Sequence, residues 1–283
     1  MNTVTIVGAG LIGGSFGLAL REAGFAGSIL AVSSAAAVEA AVRRGAVDRG
    51  VPLEEGVRAA DLVFLSQPIG RILDTIRHID GWLRPGALVT DAGSTKTEIV
   101  DLARQTIRRA QFLGGHPMAG KEKRGAAEAE AGLFRGRPWV LTPDEPAELE
   151  TPAAREFIGW IERLDARLVV LDSETHDRTV ALASHLPQLA STALAATVAE
   201  GGAEAALAVA GPGLIDMTRL ALSSYELWRD ILATNSENVD RALAAYIQKL
   251  EHLRENLRTR QMQAEYERGA RLAAQLRGRG PNG

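Results

Sequence analysis

Short apolar runs alternating with helical periods fill the first 172 residues. Thr3 to Val7 is β-branched and ends at a glycine, so it predicts a strand, and Leu11 to Arg21 has the spacing of a helix that closes near Gly24. Ser28 to Val32 predicts a second strand and Ala35 to Arg44 an alanine-rich helix stopped by Gly45. Asp61 to Leu65 is almost wholly apolar, as a strand covered on both faces must be, and it ends at Gln67-Pro68. Ala87 to Thr90 follows the Pro85-Gly86 turn. Lys96 to Arg109 has helical spacing at Ile99, Leu102, Ala103 and Ile107, and the runs around Phe112 and Trp139 to Leu141 predict further strands. Beyond the proline- and acid-rich Pro143 to Pro152, Ala153 to Leu164 predicts a helix and Arg167 to Leu171 a last strand. Such alternation predicts an α/β domain whose mostly parallel sheet carries helices on both faces.

From Asp172 onward the pattern has only helical periods, at Thr175 to Glu200, Gly213 to Ala221, Tyr225 to Thr234 and Ser236 to Gln275. The expected organisation is therefore an α/β domain over 1–172 and an all-helical domain over 173–283. In the last helix Val239, Leu243, Tyr246, Leu250, Leu253 and Leu257 are spaced alternately by four and three, a heptad-like stripe. A stripe of this kind needs an apolar partner; the period alone does not decide between helices of the same chain and a second subunit, but a long helix ending a small all-helical domain favours a homodimer through the C-terminal helices.

Composition narrows the partners. The 283 residues are 46% hydrophobic with a formal net charge of -3, so no basic field favours nucleic acid or an anionic membrane. Cysteine is absent, which removes thiolate nucleophiles and cysteine-ligated metals and suits a reducing, cytoplasmic setting. His78, His116, His176, His185 and His252 lie far apart in sequence, and no metal is expected. Thr3 to Leu20 carries no charge, but its glycines at 8, 10, 13, 14 and 17 make it a strand, turn and helix rather than a leader or a span.

Gly8-Ala9-Gly10-Leu11-Ile12-Gly13 is GxGxxG directly after a predicted strand and directly before a helix, the context in which it marks a Rossmann-type dinucleotide site. The glycines let the backbone turn and approach a pyrophosphate that sits on the helix N-terminus. Gln67-Pro68, where the third long strand ends, is counted with this site. The second strand closes on Ser33-Ser34 rather than on the carboxylate that would bind a ribose 2'-hydroxyl. Two hydroxyls do not repel a 2'-phosphate, so the reading leans to NADP and leaves NAD open, since no arginine follows them directly.

Candidate chemistry sits in Gly114-Gly115-His116-Pro117-Met118-Ala119-Gly120-Lys121-Glu122. A histidine between two glycines and a proline is expected in a loop, outside any helix or strand, with an imidazole that titrates near neutral pH. Read with Asp91-Ala92-Gly93-Ser94-Thr95-Lys96, Ser184-His185-Leu186-Pro187, Thr218-Arg219-Leu220-Ala221 and Leu227-Trp228-Arg229-Asp230-Ile231, the chain resembles the prephenate and arogenate dehydrogenase family along nearly its whole length. The resemblance implies a cyclohexadiene substrate that aromatises as hydride leaves C4 and carbon dioxide leaves C1. It makes His116 the base on the C4 hydroxyl, Ser94 a second group bonded to that hydroxyl, and Arg219 the anchor of a substrate carboxylate. It implies that Glu122 gates the pocket or ties down its polar network, that His185 orients substrate and that Trp228 reaches a neighbouring subunit's pocket. Taken alone, Glu122 is equally a solvated charge, His185 a helix cap and Trp228 a core anchor.

Two positions depart from the family pattern. Gln188 stands where many relatives that use prephenate carry a second histidine, and Ile215 replaces a common basic residue. Losing a cation weakens strict selection of the keto-acid side chain of prephenate over the amino-acid side chain of arogenate. Two rival readings remain at this level. A β-hydroxyacid-type dehydrogenase would need a catalytic lysine in the helical half, where Lys249 sits within the apolar stripe. A non-catalytic NAD(P)-binding sensor would keep the glycine loop and give Ser94, His116 and Arg219 no joint task.

Overall fold

Strand-forming runs line up in the computed structural model as one eight-stranded sheet; it describes residues 1–121, 123 and 125–278. The strands are β1 (Thr3–Val7), β2 (Ser28–Val32), β3 (Arg49–Gly50), β4 (Leu62–Leu65), β5 (Leu88–Asp91), β6 (Gln111–Pro117), β7 (Pro138–Thr142) and β8 (Arg167–Val170). Their spatial order is β3-β2-β1-β4-β5-β6-β7-β8; every neighbouring pair is parallel except β6 with β7. The order reverses between β1 and β4, and in sheets of this kind ligands bind in the crevice at such a switch point, beyond the strands' carboxyl ends.

Side chains alternate across the sheet as a period of two requires. Val4, Ile6, Leu62 and Phe64 enter one core, where Phe16 of α1 (Leu11–Glu22), Trp139 of β7 and Phe157 of α6 (Pro152–Arg163) pack as tilted and edge-on rings. Val7, Val63 and Leu65 enter the other, against Ile72 and Ile76 of α4 (Ile69–Ile79) and Ile99 of α5 (Thr97–Thr106). Ile231 of α11 (Tyr225–Thr234) is buried in this second core, so the helical half docks there.

The α/β architecture followed by helices agrees with the expectation, with α10 (Pro212–Thr218) at the helix expected from Gly213; besides the two-residue β3 and the short α9 (Ala203–Ala208), which no run predicts, four differences stand out. Helices α3 (Leu53–Ala59) and α4 complete the crossovers around β4 and were not anticipated, although Ile69, Ile72, Leu73, Ile76 and Ile79 form one buried stripe. The single helix expected over 175–200 is divided into α7 (Ser173–Val180), a π-turn over Ala181–His185 and α8 (Leu186–Glu200). Pro187 has no N–H to close the ladder, and the backbone widens around the missing bond. The long helix expected over 236–275 is also two, α12 (Ser236–Glu255) and α13 (Gln263–Gly278). Asn256 caps α12 by donating to the His252 carbonyl at 2.9 Å, Arg260 takes a φ of 61°, and the chain turns back so that Lys249 pairs with Glu265 at 2.9 Å. Leu257 therefore lies beyond the helix that carries the rest of the stripe.

The fourth difference concerns His116, which lies inside strand β6 opposite Val140 rather than in a loop. Gly114 and Gly115 are there for space, not flexibility. A Cβ on Gly114 would stand 2.3 Å from Thr142 Oγ1, and one on Gly115 would stand 2.6 Å from the Asp91 carbonyl oxygen. Pro117 is the strand's last residue, where a missing donor is tolerated.

Candidate active site

The glycine fingerprint has the shape that a dinucleotide needs. Gly8 takes a φ of +105°, and a Cβ on it would meet the Ser66 carbonyl at 2.8 Å. A Cβ on Gly13 would stand 2.3 Å from the Gly8 oxygen, so α1 can pack this closely on β1 only with glycine there. Gly10, at the N-cap of α1, faces open space, the place where a pyrophosphate reaches the helix N-terminus. Ala9 is fully buried, while Leu11 and Ile12 open the helix and pack against the first core. Ser33 and Ser34 are exposed at the end of β2, but Ser34 spends its hydroxyl as the N-cap of α2 (Ala35–Arg43), accepting from Ala37 N–H at 3.4 Å. Gln67 accepts from Thr75 Oγ1 at 2.9 Å, and Pro68 caps α4.

One strand pair away, the carboxyl ends of β5 and β6 carry a buried polar network. Asp91 ends β5 and pairs with the fully buried ammonium of Lys96, while its oxygens accept from Gly93 N–H at 2.8 Å and Gly115 N–H at 3.0 Å. His116, 8% exposed, joins its Nδ1 to His176 Nε2 at 2.8 Å. His176 Nδ1 in turn bonds Asp177 Oδ1 at 2.8 Å. Asp177 also accepts the main-chain N–H of Lys96 at 2.7 Å and of Thr97 at 2.9 Å, so it sits on the N-terminus of α5. Asn235 donates to the Asp177 carbonyl at 2.9 Å and lies 3.3 Å from His185 Nδ1.

Protonation follows from this packing. Burial, then the neighbouring His176, Lys96 and His185, hold the His116 pKa well below the ordinary histidine value. Burial lowers His176 as well, and lowers His185 to about 4. Burial alone would raise Asp177, but the hydrogen bonds from His176, Thr97 and Lys96 outweigh it and keep the group below the usual carboxylate value. At pH 7 the three imidazoles are therefore neutral and Asp177 is an anion. The unfolded chain binds protons at these histidines below about pH 6.5 while the folded chain does not, so stability is present above that pH and declines as pH falls; the His185 share is spent near pH 4. Urea unfolding should show a lower midpoint at pH 5 than at pH 7, and an unchanged midpoint would refute the neutral-histidine assignment.

The other expected residues are distributed as follows. Ser94 is half-buried in the β5–α5 connection next to the Lys96 network, and its hydroxyl makes no hydrogen bond among the described residues. His185, 1% exposed, is turned inward by the π-turn and packs edge-on against Trp228, with ring centroids 5.8 Å apart. Trp228 is half-buried against the second core of its own chain, and its Nε1 is buried without a partner among the described residues. Gln188 is 5% exposed and donates to the Leu220 carbonyl at 2.9 Å, which ties it to the short 3₁₀ helix that Arg219 opens. Glu122 lies outside the described residues. The network also includes Lys96, His176, Asp177 and Asn235, to which sequence reading gave no role; adjacent His176-Asp177 at the start of the helical half was the available signal. Among the described residues no group of acidic or histidine side chains is arranged to hold a metal ion.

This arrangement defines a dinucleotide-binding α/β fold whose candidate base is buried between the sheet and the first helix of a helical half. Residues 16–170 match the prephenate dehydrogenase nucleotide-binding domain and residues 172–274 the prephenate dehydrogenase dimerization domain; the chain belongs to this family. It is 34% identical to a prephenate dehydrogenase of Lactococcus lactis over 242 residues, which is 84% of this chain and 66% of the relative. The chain thus spans about two thirds of that relative's length. Among solved structures it is similar to Aquifex aeolicus prephenate dehydrogenase in complex with hydroxyphenyl propionate and NAD+, with a TM-score of 0.84 and 29% identity over 97% of this chain and 98% of the other. It is likewise similar to Synechocystis arogenate dehydrogenase, with a TM-score of 0.77 and 31% identity over 98% of both chains.

Proposed function

We propose that this chain oxidatively decarboxylates a cyclohexadienyl substrate, prephenate or arogenate, with His116 as the base. The observation that carries this reading is a neutral imidazole at the carboxyl end of β6, whose Nδ1 is engaged by His176 and whose Nε2 makes no bond among the described residues. When bound, the nicotinamide supplies the hydride acceptor. His116 Nε2 takes the proton of the C4 hydroxyl as that carbon becomes a carbonyl. The C1–carboxylate bond then breaks, its electron pair aromatises the ring onto the C4 oxygen, and the His116 imidazolium returns the proton to that oxygen. Ser94 offers an unengaged hydroxyl for the same oxygen, and Arg219 suits a bidentate grip on a substrate carboxylate. Glu122 and Trp228 remain proposed contributors to the pocket's polar network and wall.

Between the two ring substrates, Gln188 favours arogenate. Its amide nitrogen is committed to the Leu220 carbonyl and to Thr192 Oγ1, so the group left over is an oxygen, an acceptor suited to an ammonium rather than to a keto group. Ile215 adds no cation. For the cofactor, the absence of a carboxylate after β2 keeps the lean to NADP, although only Ser33 has an uncommitted hydroxyl. We place the division of the chain near Asp172 and read the protein as a cytoplasmic homodimer. Half-exposed Ile247 and Leu250 on α12 supply an apolar face for the second copy.

Purified chain incubated with each substrate and each cofactor, with reduced nicotinamide and aromatic product followed together, tests the activity, the ring substrate and the cofactor. Stoichiometric formation of both in at least one mixture is expected, fastest with arogenate and NADP. No turnover in any of the four mixtures refutes the activity, and a strong preference for prephenate or for NAD refutes the corresponding finer reading.

A further inference from the structure

We propose that His176 and Asp177 are positioning residues that hold His116 in its Nδ1–H tautomer, leaving the Nε2 lone pair as the proton acceptor. This inference rests on His116 being the base, and it concerns how the helical half prepares that base.

The polarity of the hydrogen bonds follows from the end of the chain of contacts that is fixed. Asp177 takes two main-chain N–H groups, from Lys96 and Thr97, at the N-terminus of α5, so it is an acceptor on both oxygens. The proton between Asp177 Oδ1 and His176 Nδ1 must then sit on the histidine. A neutral His176 with Nδ1 protonated has a bare Nε2, and this atom lies 2.8 Å from His116 Nδ1. Two bare nitrogens do not bond, so His116 Nδ1 carries the proton and its Nε2 is free of one. With the opposite tautomer His116 would present an N–H to the substrate hydroxyl and could not accept its proton.

The same line suits the charge that forms. When His116 becomes an imidazolium, it keeps its Nδ1–H directed at His176, whose other side faces the Asp177 carboxylate. Lys96 is the nearby cation that opposes this charge, and its ammonium is already paired with Asp91. His185, the other titratable group facing His116, is neutral above about pH 4. Asp177 is bonded to the start of α5 on the nucleotide side and, through its carbonyl, to Asn235 on the helical side. The base is therefore set only when the two halves are docked, since His176 and Asp177 belong to α7 and His116 to β6.

Ring-nitrogen NMR on full-length protein labelled with [15N]histidine reads the tautomer without any variant, with His116→Asn used only to assign the signal. At pH 8 a protonated Nδ1 and a bare Nε2 are expected for His116; a protonated Nε2 overturns the proposal. Turnover gives the second readout. A base held in the wrong tautomer costs on the order of 10⁴ in a Ser-His-Asp triad, and His176→Ala should lower kcat by about 10² with KM and cofactor affinity within about threefold of wild type. His176→Gln keeps an amide oxygen that can accept from His116 Nδ1–H and should recover about tenfold of that loss. A His176→Ala kcat within twofold of wild type, or a glutamine variant no better than alanine, overturns the proposal. Failure of the base assignment is distinguishable: it appears as unchanged turnover in His116→Asn, whatever tautomer the wild-type ring adopts.

Discussion

His116→Asn should lower kcat by roughly 10²–10⁴-fold, the span that positioned general bases contribute, while NAD(P) affinity stays within about threefold. Asparagine fits the space between Gly115 and Pro117 and retains a polar contact to His176, so the strand should keep its pairing with β7. The glycine cradle is built from β1, α1 and the end of β4, none of which includes His116, and this is why cofactor affinity should survive. Fluorescence titration with the cofactor, beside turnover with the preferred ring substrate, separates the two effects. Unchanged turnover would reject the base, and loss of both activity and cofactor binding would mean that the substitution had disturbed the sheet.

Asp91→Ala should produce the largest loss of stability of any single change in the network, about 3–5 kcal/mol, because it strands the Lys96 ammonium in a fully buried site. The same carboxylate satisfies the Gly93 and Gly115 main-chain donors, which would be left without partners. For a chain of this size a loss of that magnitude corresponds to a fall in Tm of about 10 °C. Asp91→Asn keeps acceptor oxygen and volume and should fall by less. Thermal melts followed by circular dichroism check both, and an Asp91→Ala protein melting within 2 °C of wild type would show that burial of the Lys96–Asp91 pair is not what holds the β5–α5 connection.

What the chain discloses without coordinates depends on whether a property is local. The GxGxxG turn is local: Gly8, Gly10 and Gly13 serve one strand, one turn and one helix, and Gly8 and Gly13 have the steric reasons that the pattern predicts, while Gly10 faces open space. Buried β4 and amphipathic α5 were legible for the same reason. His116 was singled out as a candidate base, but its setting was misjudged, because Gly114 and Gly115 resemble loop residues in a single chain and are strand residues only against Thr142 and Asp91. The break after Glu255 turns on Asn256 and on the positive φ of Arg260, which a heptad count does not register. The His116–His176–Asp177 line was not legible as a line because it joins positions sixty residues apart; the adjacent His176-Asp177 pair was in view, but nothing local ties it to His116. Pro187 illustrates the intermediate case: its effect on a helix is a local rule, but the inward turn of His185 that results is visible only in the fold.

A crystal structure of this chain with the oxidised nicotinamide cofactor it prefers and the aromatic hydroxyphenyl product would examine the assignment of His116 most directly. The phenolic oxygen should lie within about 2.6–3.2 Å of His116 Nε2, with Nδ1 still bonded to His176. A phenolic oxygen bound away from that nitrogen in every subunit, with no single water between them, would contradict the role given to His116.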